Sequence, residues 1–320
     1  MTRLGYQIPN FTYPGVAPAD IFDNVVAQAR AAEAAGYDRV FVMDHFYQLP
    51  GIGAPDEPMF ECYAMLSALA QHTGTVRLSA LVTGNTYRNP ALLAKTVTTL
   101  DHVSHGRATL GIGAGWFELE HDAFGFRYGS LGERFEKLEE ALQIIRPMLR
   151  DERPTFSGKH YRSVAAANSP APVSHVPIMI GGGGEKKTLR MVAQYADESN
   201  LICTTDEIPR KLEALDAHCE RLGRERSEIT VTKLMMVVVA PTLEEAEEDL
   251  AAIAETKGWN EQIAGRVKQQ LIFGDPDHVG AELSAAIEKG LDGITVDLPV
   301  NGHLPERIAL LGEIATKALG

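Results

Sequence analysis

The chain has 320 residues, of which 45% are hydrophobic and 23% are charged, as in an ordinary globular protein. The formal net charge of −13 argues against a nucleic-acid-binding surface. Three widely spaced cysteines, an odd number, form neither a disulfide framework nor a metal-site pattern. The N-terminal residues lack a secretory pattern, and no window approaches the roughly 20 apolar residues that cross a bilayer. We therefore expect a cytoplasmic protein that binds neither nucleic acid nor membrane.

Short apolar runs alternate with amphipathic segments along the first half of the chain. The predicted strands of this half are 4–8, 39–43, 76–82 and 107–113, and the predicted helices are 19–35, 61–72, 90–103 and 131–150. Asn89 and Pro90 suit the cap and first turn of their helix, because proline is best tolerated there. Pro147 should kink or end its helix in the last turn.

The same alternation continues in the second half. Its predicted strands are 176–180, 199–203, 228–240 and 293–298, and its predicted helices are 185–196, 207–222, 243–254, 279–289 and 305–319. Four segments interrupt the pattern as insertions, near 46–60, 116–130, 151–175 and 256–275. We expect a short strand or hairpin in the third insertion and an irregular segment with a possible helix in the fourth.

Eight strand-then-helix units without consecutive hairpins predict parallel β-α-β connections. Eight such units with nearly continuous apolar strands favour an α/β fold of the (β/α)8 TIM barrel class, over residues 1–320 as one domain. An open doubly wound sheet is the alternative. In a barrel, functional groups cluster at the carboxyl ends of the strands. Four predicted strands end unusually, in Asp44-His45, in Val82 to Asn85, in Gly113 to Trp116 and in Gly181 to Gly184.

The four consecutive glycines Gly181 to Gly184 lie between a predicted strand and a predicted helix. Free backbone amides at the positive end of a helix dipole form an anion site, so this run indicates phosphate binding. A flexible helix entry without a ligand is the alternative. The run is not a Walker A motif, since no Gly-Lys-Ser/Thr follows, and it lacks the context of the dinucleotide fingerprint.

Asp44 and His45 form the second candidate site. A lone histidine is often structural, but a position at the active face of a barrel favours catalysis. Glu118, Glu120 and His121 could ligate a metal, but no second cluster completes a site, so no metal is expected. No Ser-His-Asp or Cys-His arrangement can be assembled.

Several segments taken together resemble the luciferase-like monooxygenase superfamily, and in particular its branch of deazaflavin (coenzyme F420)-dependent oxidoreductases. The resemblance covers essentially the whole chain. Its segments are Gly36-Tyr37-Asp38 with Val42-Met43-Asp44-His45-Phe46, the run from Leu81 to Pro90, Gly106-Arg107 with Leu110 to Trp116, and Gly181 to Gly184.

The resemblance implies a bacterial luciferase-like TIM barrel with a flavin-like ring in its carboxyl-terminal mouth. It also implies a non-proline cis peptide bond between Leu81 and Val82 beneath the ring, and a phosphate held by Gly182 to Gly184. The residues that it places around the cofactor are Leu81, Val82, Thr83, Asn85, Gly113, Ala114, Gly115, Trp116, Gly181, Gly182, Gly183 and Gly184.

The implied chemistry is hydride transfer between coenzyme F420 and a small organic molecule, with the protein supplying orientation and a proton donor or acceptor. By resemblance, His45 would fill that role or polarise the substrate, and Asp44 would orient it. Sugar-phosphate dehydrogenases of the family have a catalytic glutamate at about the position of Trp116. Since tryptophan cannot transfer a proton, Trp116 argues against a sugar phosphate, and it would stack on the ring or wall the pocket.

Two other functions stay open. One is an FMN-dependent luciferase-like monooxygenase that works with a flavin reductase. The other is a non-catalytic protein that binds the reduced cofactor. A homodimer, and a flavin or deazaflavin reductase system as electron source, are further expectations from the resemblance.

Overall fold

A computed structural model describes residues 3–320 as an α/β barrel with helices around it. The strands are β1 (Leu4–Ile8), β2 (Arg39–Val42), β3 (Arg77–Ala80), β4 (Thr83–Gly84), β5 (Leu110–Gly113), β6 (Phe156–Ser157), β7 (Arg162–Ser163), β8 (Ile178–Gly181), β9 (Glu198–Leu201), β10 (Thr230–Val239), β11 (Ile272–Gly274) and β12 (Ile294–Asp297). The helices are α1 (Ile21–Ala34), α2 (Cys62–Ala70), α3 (Pro90–Val103), α4 (Glu118–Phe124), α5 (Leu131–Met148), α6 (Thr188–Tyr195), α7 (Ile208–Leu222), α8 (Leu243–Lys257), α9 (Glu261–Gln270), α10 (Pro276–Glu288) and α11 (Pro305–Leu319).

The sheet runs in the order β3-β2-β1-β12-β10-β9-β8-β5-β4, and all of these pairings are parallel. A bridge between Leu78 and Ala108 joins β3 to the chain entering β5 and closes the circle. Since β3 and β4 are two pieces of one strand, broken at a cis peptide bond between Leu81 and Val82, the barrel has eight strands. The predicted (β/α)8 barrel and the predicted cis bond are confirmed.

The helix boundaries follow the local sequence. Asn89 caps α3 by accepting a 2.9 Å hydrogen bond from the Ala91 amide, with Pro90 in the first turn. Helix α5 begins with a capping box between Ser130 and Glu133, and it ends at Met148, one residue after the proline expected to end it.

The amino-terminal end of the barrel is closed by a buried ion pair. Arg39 donates to Glu198 over 2.6 and 2.8 Å and so links β2 to β9, which are not neighbours in the sheet. The pair therefore crosses the barrel interior at the end opposite the carboxyl ends of the strands.

The insertions hold more regular structure than the sequence indicates. The hairpin expected within 151–175 is present as β6 and β7. Helix α4 was not expected, and β11 pairs in parallel with β10, also unexpectedly. Helix α6 begins at Thr188, three residues later than predicted. Among residues 3–320, no helix is both long and apolar enough to span a bilayer.

Candidate active site

A cavity of about 220 Å³ opens at the carboxyl ends of the barrel strands. Much of its wall is apolar, and the bulkier apolar residues are Met43, Leu49, Ile52, Leu81, Val82, Trp116, Ile202, Leu234 and Met236. The polar side chains that line it are Gln7, Asp44, His45, Thr83, Tyr87 and Asp297. An enclosed apolar cavity with a few convergent polar groups is typical of a small-molecule site.

Val82 explains two of the glycines that the sequence singles out. A Cβ atom added to Gly113 or to Gly181 would lie 2.9 Å from a methyl carbon of Val82. Both positions therefore need glycine so that Val82 can project between β5 and β8. The bulge after β3 and the glycines at the ends of the next two strands form one packing unit.

Gly115 and Trp116 line the cavity, whereas Ala114 is half-buried against the core. Gly115 has a φ of +78°, a conformation that favours glycine. The Trp116 side chain is 55% exposed, and its ring stacks on Phe117 with centroids 5.0 Å apart. Trp116 therefore forms part of the rim.

His45 is held by Glu120, which projects from α4. The His45 Nδ1 atom lies 2.9 Å from Glu120 Oε2, and the Glu120 side chain is fully buried. Because the carboxylate accepts from Nδ1, the other ring nitrogen, Nε2, is left for the cavity; it has no hydrogen bond among residues 3–320. The ring also packs edge-on against Trp116 and Phe117.

Glu120 is ionised in this environment. Its burial alone would raise the pKa, but hydrogen bonds from His45, from the Tyr87 hydroxyl and from the Tyr47 amide outweigh burial and hold the pKa below its ordinary value. The Phe46 amide donates a fourth hydrogen bond. The carboxylate therefore fixes both the His45 ring and the start of the 46–60 loop.

Asp44 has a different role from the expected one. It makes no hydrogen bond to His45; instead it accepts two hydrogen bonds from Arg88, of 2.7 and 2.9 Å, and one from the Gly84 amide. The expectation that Asp44 orients His45 is therefore corrected, because Glu120 does so. Asp44 joins the end of β2 to β4 and to the start of α3, and thus supports the turn below the cavity.

Thr83 and Asn85 follow the cis bond. The Thr83 hydroxyl shares a 2.7 Å hydrogen bond with the Tyr63 hydroxyl. The Asn85 side chain is 1% exposed, yet neither its oxygen nor its nitrogen has a hydrogen-bond partner. Burial raises the pKa of the Tyr161 hydroxyl, and the nearby Asn85 side chain partly lowers it again. The two side chains are not joined by a hydrogen bond. A buried, unpaired amide is costly and is a natural contact for a bound ligand.

The four-glycine loop leads from β8 toward α6. Gly182 has a φ of +134°, and a Cβ atom on Gly183 would lie 2.1 Å from the Ile202 carbonyl oxygen. The Gly182 amide donates to Asn200, but the five following amides, of residues 183–187, donate no hydrogen bond within residues 3–320. Free consecutive amides before a helix suit an anion.

Two further polar residues were not predicted. Gln7 and Asp297 are paired in register at the ends of β1 and β12, and both line the cavity. Burial raises the Asp297 pKa to about 8. The available signal was a polar residue at or next to the end of each apolar strand, in Leu-Gly-Tyr-Gln-Ile and Ile-Thr-Val-Asp.

The other titratable residues of the 116–130 segment have structural contacts. His121 is buried between the Thr86 hydroxyl and the Phe117 carbonyl, each 2.7 Å away. Glu118 is exposed. Within residues 3–320, no group of three or more His, Cys, Asp and Glu side chains is arranged to hold a metal ion.

Comparison with known proteins agrees with this geometry. The sequence profile described as luciferase-like monooxygenase matches residues 2–293. An F420-dependent glucose-6-phosphate dehydrogenase of Microbacterium testaceum is 31% identical, over 96% of this chain and 87% of the relative. One from Amycolatopsis mediterranei is 26% identical, over 96% and 95%.

Solved structures share the fold. An F420-dependent secondary alcohol dehydrogenase, solved with an F420-acetone adduct, superposes with a TM-score of 0.79 at 21% identity, over 100% of this chain and 99% of the other. The F420-dependent tetrahydromethanopterin reductase of Methanopyrus kandleri superposes with a TM-score of 0.77 at 18% identity, over 100% and 99%. With a family profile that matches nearly the whole sequence, the chain belongs to the luciferase-like monooxygenase family.

Proposed function

We propose that this protein is an oxidoreductase that transfers hydride between coenzyme F420 and a small, uncharged organic substrate. The observation that carries the proposal is the His45–Glu120 pair, which faces an apolar cavity formed at the Leu81–Val82 bulge. The named function of the F420-dependent relatives supports the choice of cofactor.

The residues present fit such a cofactor. The cofactor has a flat ring with polar edges and a phosphate in its tail. The Leu81–Val82 bulge, Gly115 and Trp116 line the cavity with surfaces that suit a flat ring, and the free amides of 183–187 would hold the phosphate. When bound, the deazaflavin supplies two-electron hydride chemistry, which oxygen intercepts poorly.

The residues of the chain orient His45 toward the substrate and exclude water from the cavity. Glu120 keeps one tautomer and one ring position of His45, so that Nε2 is presented to a substrate in the cavity. Leu49 and Ile52 come from the 46–60 loop and exclude water from the same space. Since the Phe46 and Tyr47 amides both donate to Glu120, the residue that fixes His45 also anchors this covering loop.

The charges around the cavity argue against a phosphorylated substrate. Among residues 3–320, His45 is the only Lys, Arg or His whose side chain lines it. The adjoining cavity, of about 410 Å³, contains one lysine, Lys233, and one glutamate, Glu282. A cluster of cations lines a separate pocket that shares only Tyr87 with this cavity; its members are Arg88, Arg127, Lys137, Lys159 and His160. Because the cavity itself has no such cluster in its walls, they fit an uncharged substrate better than a sugar phosphate.

The direct test is a titration of the purified protein with coenzyme F420 and with FMN, followed by ligand fluorescence. We expect micromolar or tighter binding of F420 and weaker binding of FMN. A deazaflavin without the phosphate should bind about tenfold more weakly or worse, because the 183–187 amides lose their anion. Tight FMN binding without F420 binding would contradict the proposal.

Hydride transfer is then measured with reduced F420 and a panel of ketones, aldehydes and enones. We expect the His45→Ala variant to lose about 100-fold or more in turnover, while keeping its affinity for the cofactor. His175→Ala is the matched control, since His175 is largely exposed and its ion-pair contact is to Asp197 near the amino-terminal end of β8. Unchanged turnover in His45→Ala would remove His45 from the chemistry.

A further inference from the structure

The cavity contains a carboxyl group and an amide that no protein group satisfies. The side chains of Asp297 and Gln7 are each 2% exposed, and both line the cavity. Asp297 Oδ1 and Gln7 Oε1 are buried without a hydrogen bond, and neither side chain donates or accepts one elsewhere in residues 3–320. Because an unsatisfied buried polar group costs about 1–3 kcal/mol, two of them side by side point to a ligand.

Within residues 3–320, no cation offsets the effect of burial on Asp297. Its partners in register are Gln7 on β1 and Met236 on β10, neither of which titrates. Tyr6 is the titratable group electrostatically coupled to Asp297, and its own pKa is raised by burial. Because burial is the cause, the Asp297 pKa rises to about 8, which favours the uncharged carboxylic acid near neutrality; in that form the group can donate a hydrogen bond to a ligand.

The strand order gives this acid a place beside the histidine. Strands β2, β1 and β12 are consecutive in the barrel, and their carboxyl ends supply His45, Gln7 and Asp297 to one cavity. The histidine and the acid therefore reach the same cavity from nearby strands of the barrel. Trp116 cannot donate a proton to an oxygen at this mouth.

We propose that Asp297 gives a proton, and the Gln7 Nε2 group donates a hydrogen bond, to the oxygen atom of an uncharged ketone substrate; in the reverse direction the same two groups bind the oxygen of its secondary alcohol. This inference rests on the hydride-transfer function proposed above. The surrounding apolar side chains, among them Leu234 and Met236, fit the carbon substituents on either side of such a carbonyl.

In the proposed step the carbonyl carbon would gain a C–H bond by accepting hydride, and a bound reduced deazaflavin would be the two-electron reductant. The π pair of the carbonyl moves to oxygen, which takes the Asp297 proton. The Asp297 carboxylate is then reprotonated from water, and alcohol oxidation reverses each movement.

The first test compares Asp297→Asn with Asp297→Leu in ketone reduction. Asparagine keeps a hydrogen-bond donor but cannot give up a proton, so kcat should fall about 100-fold or more with KM changed less than about threefold. Leucine should lose kcat and also raise KM. Asp23→Asn, at an exposed position on α1, is the matched control and should leave both parameters unchanged.

The second test needs no cofactor. Infrared difference spectra across about pH 8 should show a protonated carboxyl band in the wild type that disappears in Asp297→Asn. An apolar ketone bound to the protein alone should show a carbonyl stretch shifted to lower frequency, and Asp297→Leu should abolish that shift.

The third test is the pH dependence of turnover with the cofactor. Ketone reduction by the wild type should slow as the pH rises through about 8, since the acid form is required, and Asp297→Asn should lose this pH dependence.

The two proposals fail separately. If the wild type bound no F420, the hydride-transfer function would fall, whereas the infrared measurements would still decide the state of Asp297 and its contact with the ketone. If Asp297→Asn kept the kcat and pH profile of the wild type, or if the protonated band were absent, the proposed role of Asp297 would be wrong. The proposed hydride-transfer function would still stand.

Discussion

Two buried carboxyl groups near the cavity have pKa values shifted in opposite directions: Glu120, which lies behind His45, and Asp297, which lies in the cavity wall. On the α4 side, Glu120 accepts four hydrogen bonds and is ionised. On the β1 and β12 side, Asp297 accepts none, and burial alone raises its pKa. The number of donors, rather than the depth of burial, decides which carboxyl carries a charge. The α4 side therefore holds a charged carboxylate, Glu120, and the β1 and β12 side holds a carboxyl group, Asp297, that can release a proton.

The largest effect should come from removing the unpaired acid. Between the ordinary pKa of 3.8 and about 8, the folded state keeps the Asp297 proton that the unfolded chain has lost, so this group lowers stability as the pH rises. Relative to the wild type, Asp297→Asn should gain about 1.4 kcal/mol in unfolding free energy per pH unit across that window, and nothing further above it. Urea unfolding at a series of pH values measures this; a difference independent of pH would contradict the comparison.

Removing the ionised carboxylate should act in the other direction. Glu120→Gln leaves four donors with a weaker or mismatched acceptor, so we expect a loss of about 3 kcal/mol in unfolding free energy and a large fall in turnover. Glu118→Gln, on the same helix but exposed, is the control and should change stability by less than about 0.5 kcal/mol. Equal effects of the two substitutions would rule out the proposed role of the network.

A single donor can be removed to sharpen the comparison. Tyr87→Phe deletes one hydrogen bond to the Glu120 carboxylate and should cost about 1.5 kcal/mol of stability at neutral pH. Because the pKa of Glu120 then rises toward its ordinary value, part of this loss should disappear at acidic pH. Tyr47→Phe is the control, since the Tyr47 contact with Glu120 is made by the backbone amide.

The smallest effect should be seen at Gln7. Because its amide has no partner, Gln7→Leu should change the unfolding free energy by less than about 1 kcal/mol and could raise it. The contrasting variant is Gln28→Leu, since Gln28 is equally buried but accepts from the Tyr6 hydroxyl and donates to Asn24. If Gln7→Leu lowered the unfolding free energy more than Gln28→Leu did, the Gln7 amide would have a hydrogen-bond partner in the folded protein.

The sequence predicts the barrel well because strand and helix periodicities are local properties. It could not assign Asp44 correctly, because successive side chains at a strand end point to different faces, and the neighbour in sequence of His45 is not its neighbour in space. Glu120 could be suspected only as a metal ligand, since α4 was not predicted. The pairing of Gln7 with Asp297 depends on a contact between the two ends of the chain, which no local pattern reveals.

Strand β10 is ten residues long, and beyond the stretch that pairs with β9 and β12 its Val237–Val239 end carries β11 in parallel register. Strand β11, which belongs to the 256–275 segment, is therefore hydrogen-bonded to the end of a barrel strand. Leu234 and Met236 lie just before that end and line the mouth, while Gln270 and Ile272 line the adjoining cavity. Substitutions at Gln270 or Ile272 should therefore reshape the adjoining cavity without changing the ends of β2 and β12 that position His45 and Asp297.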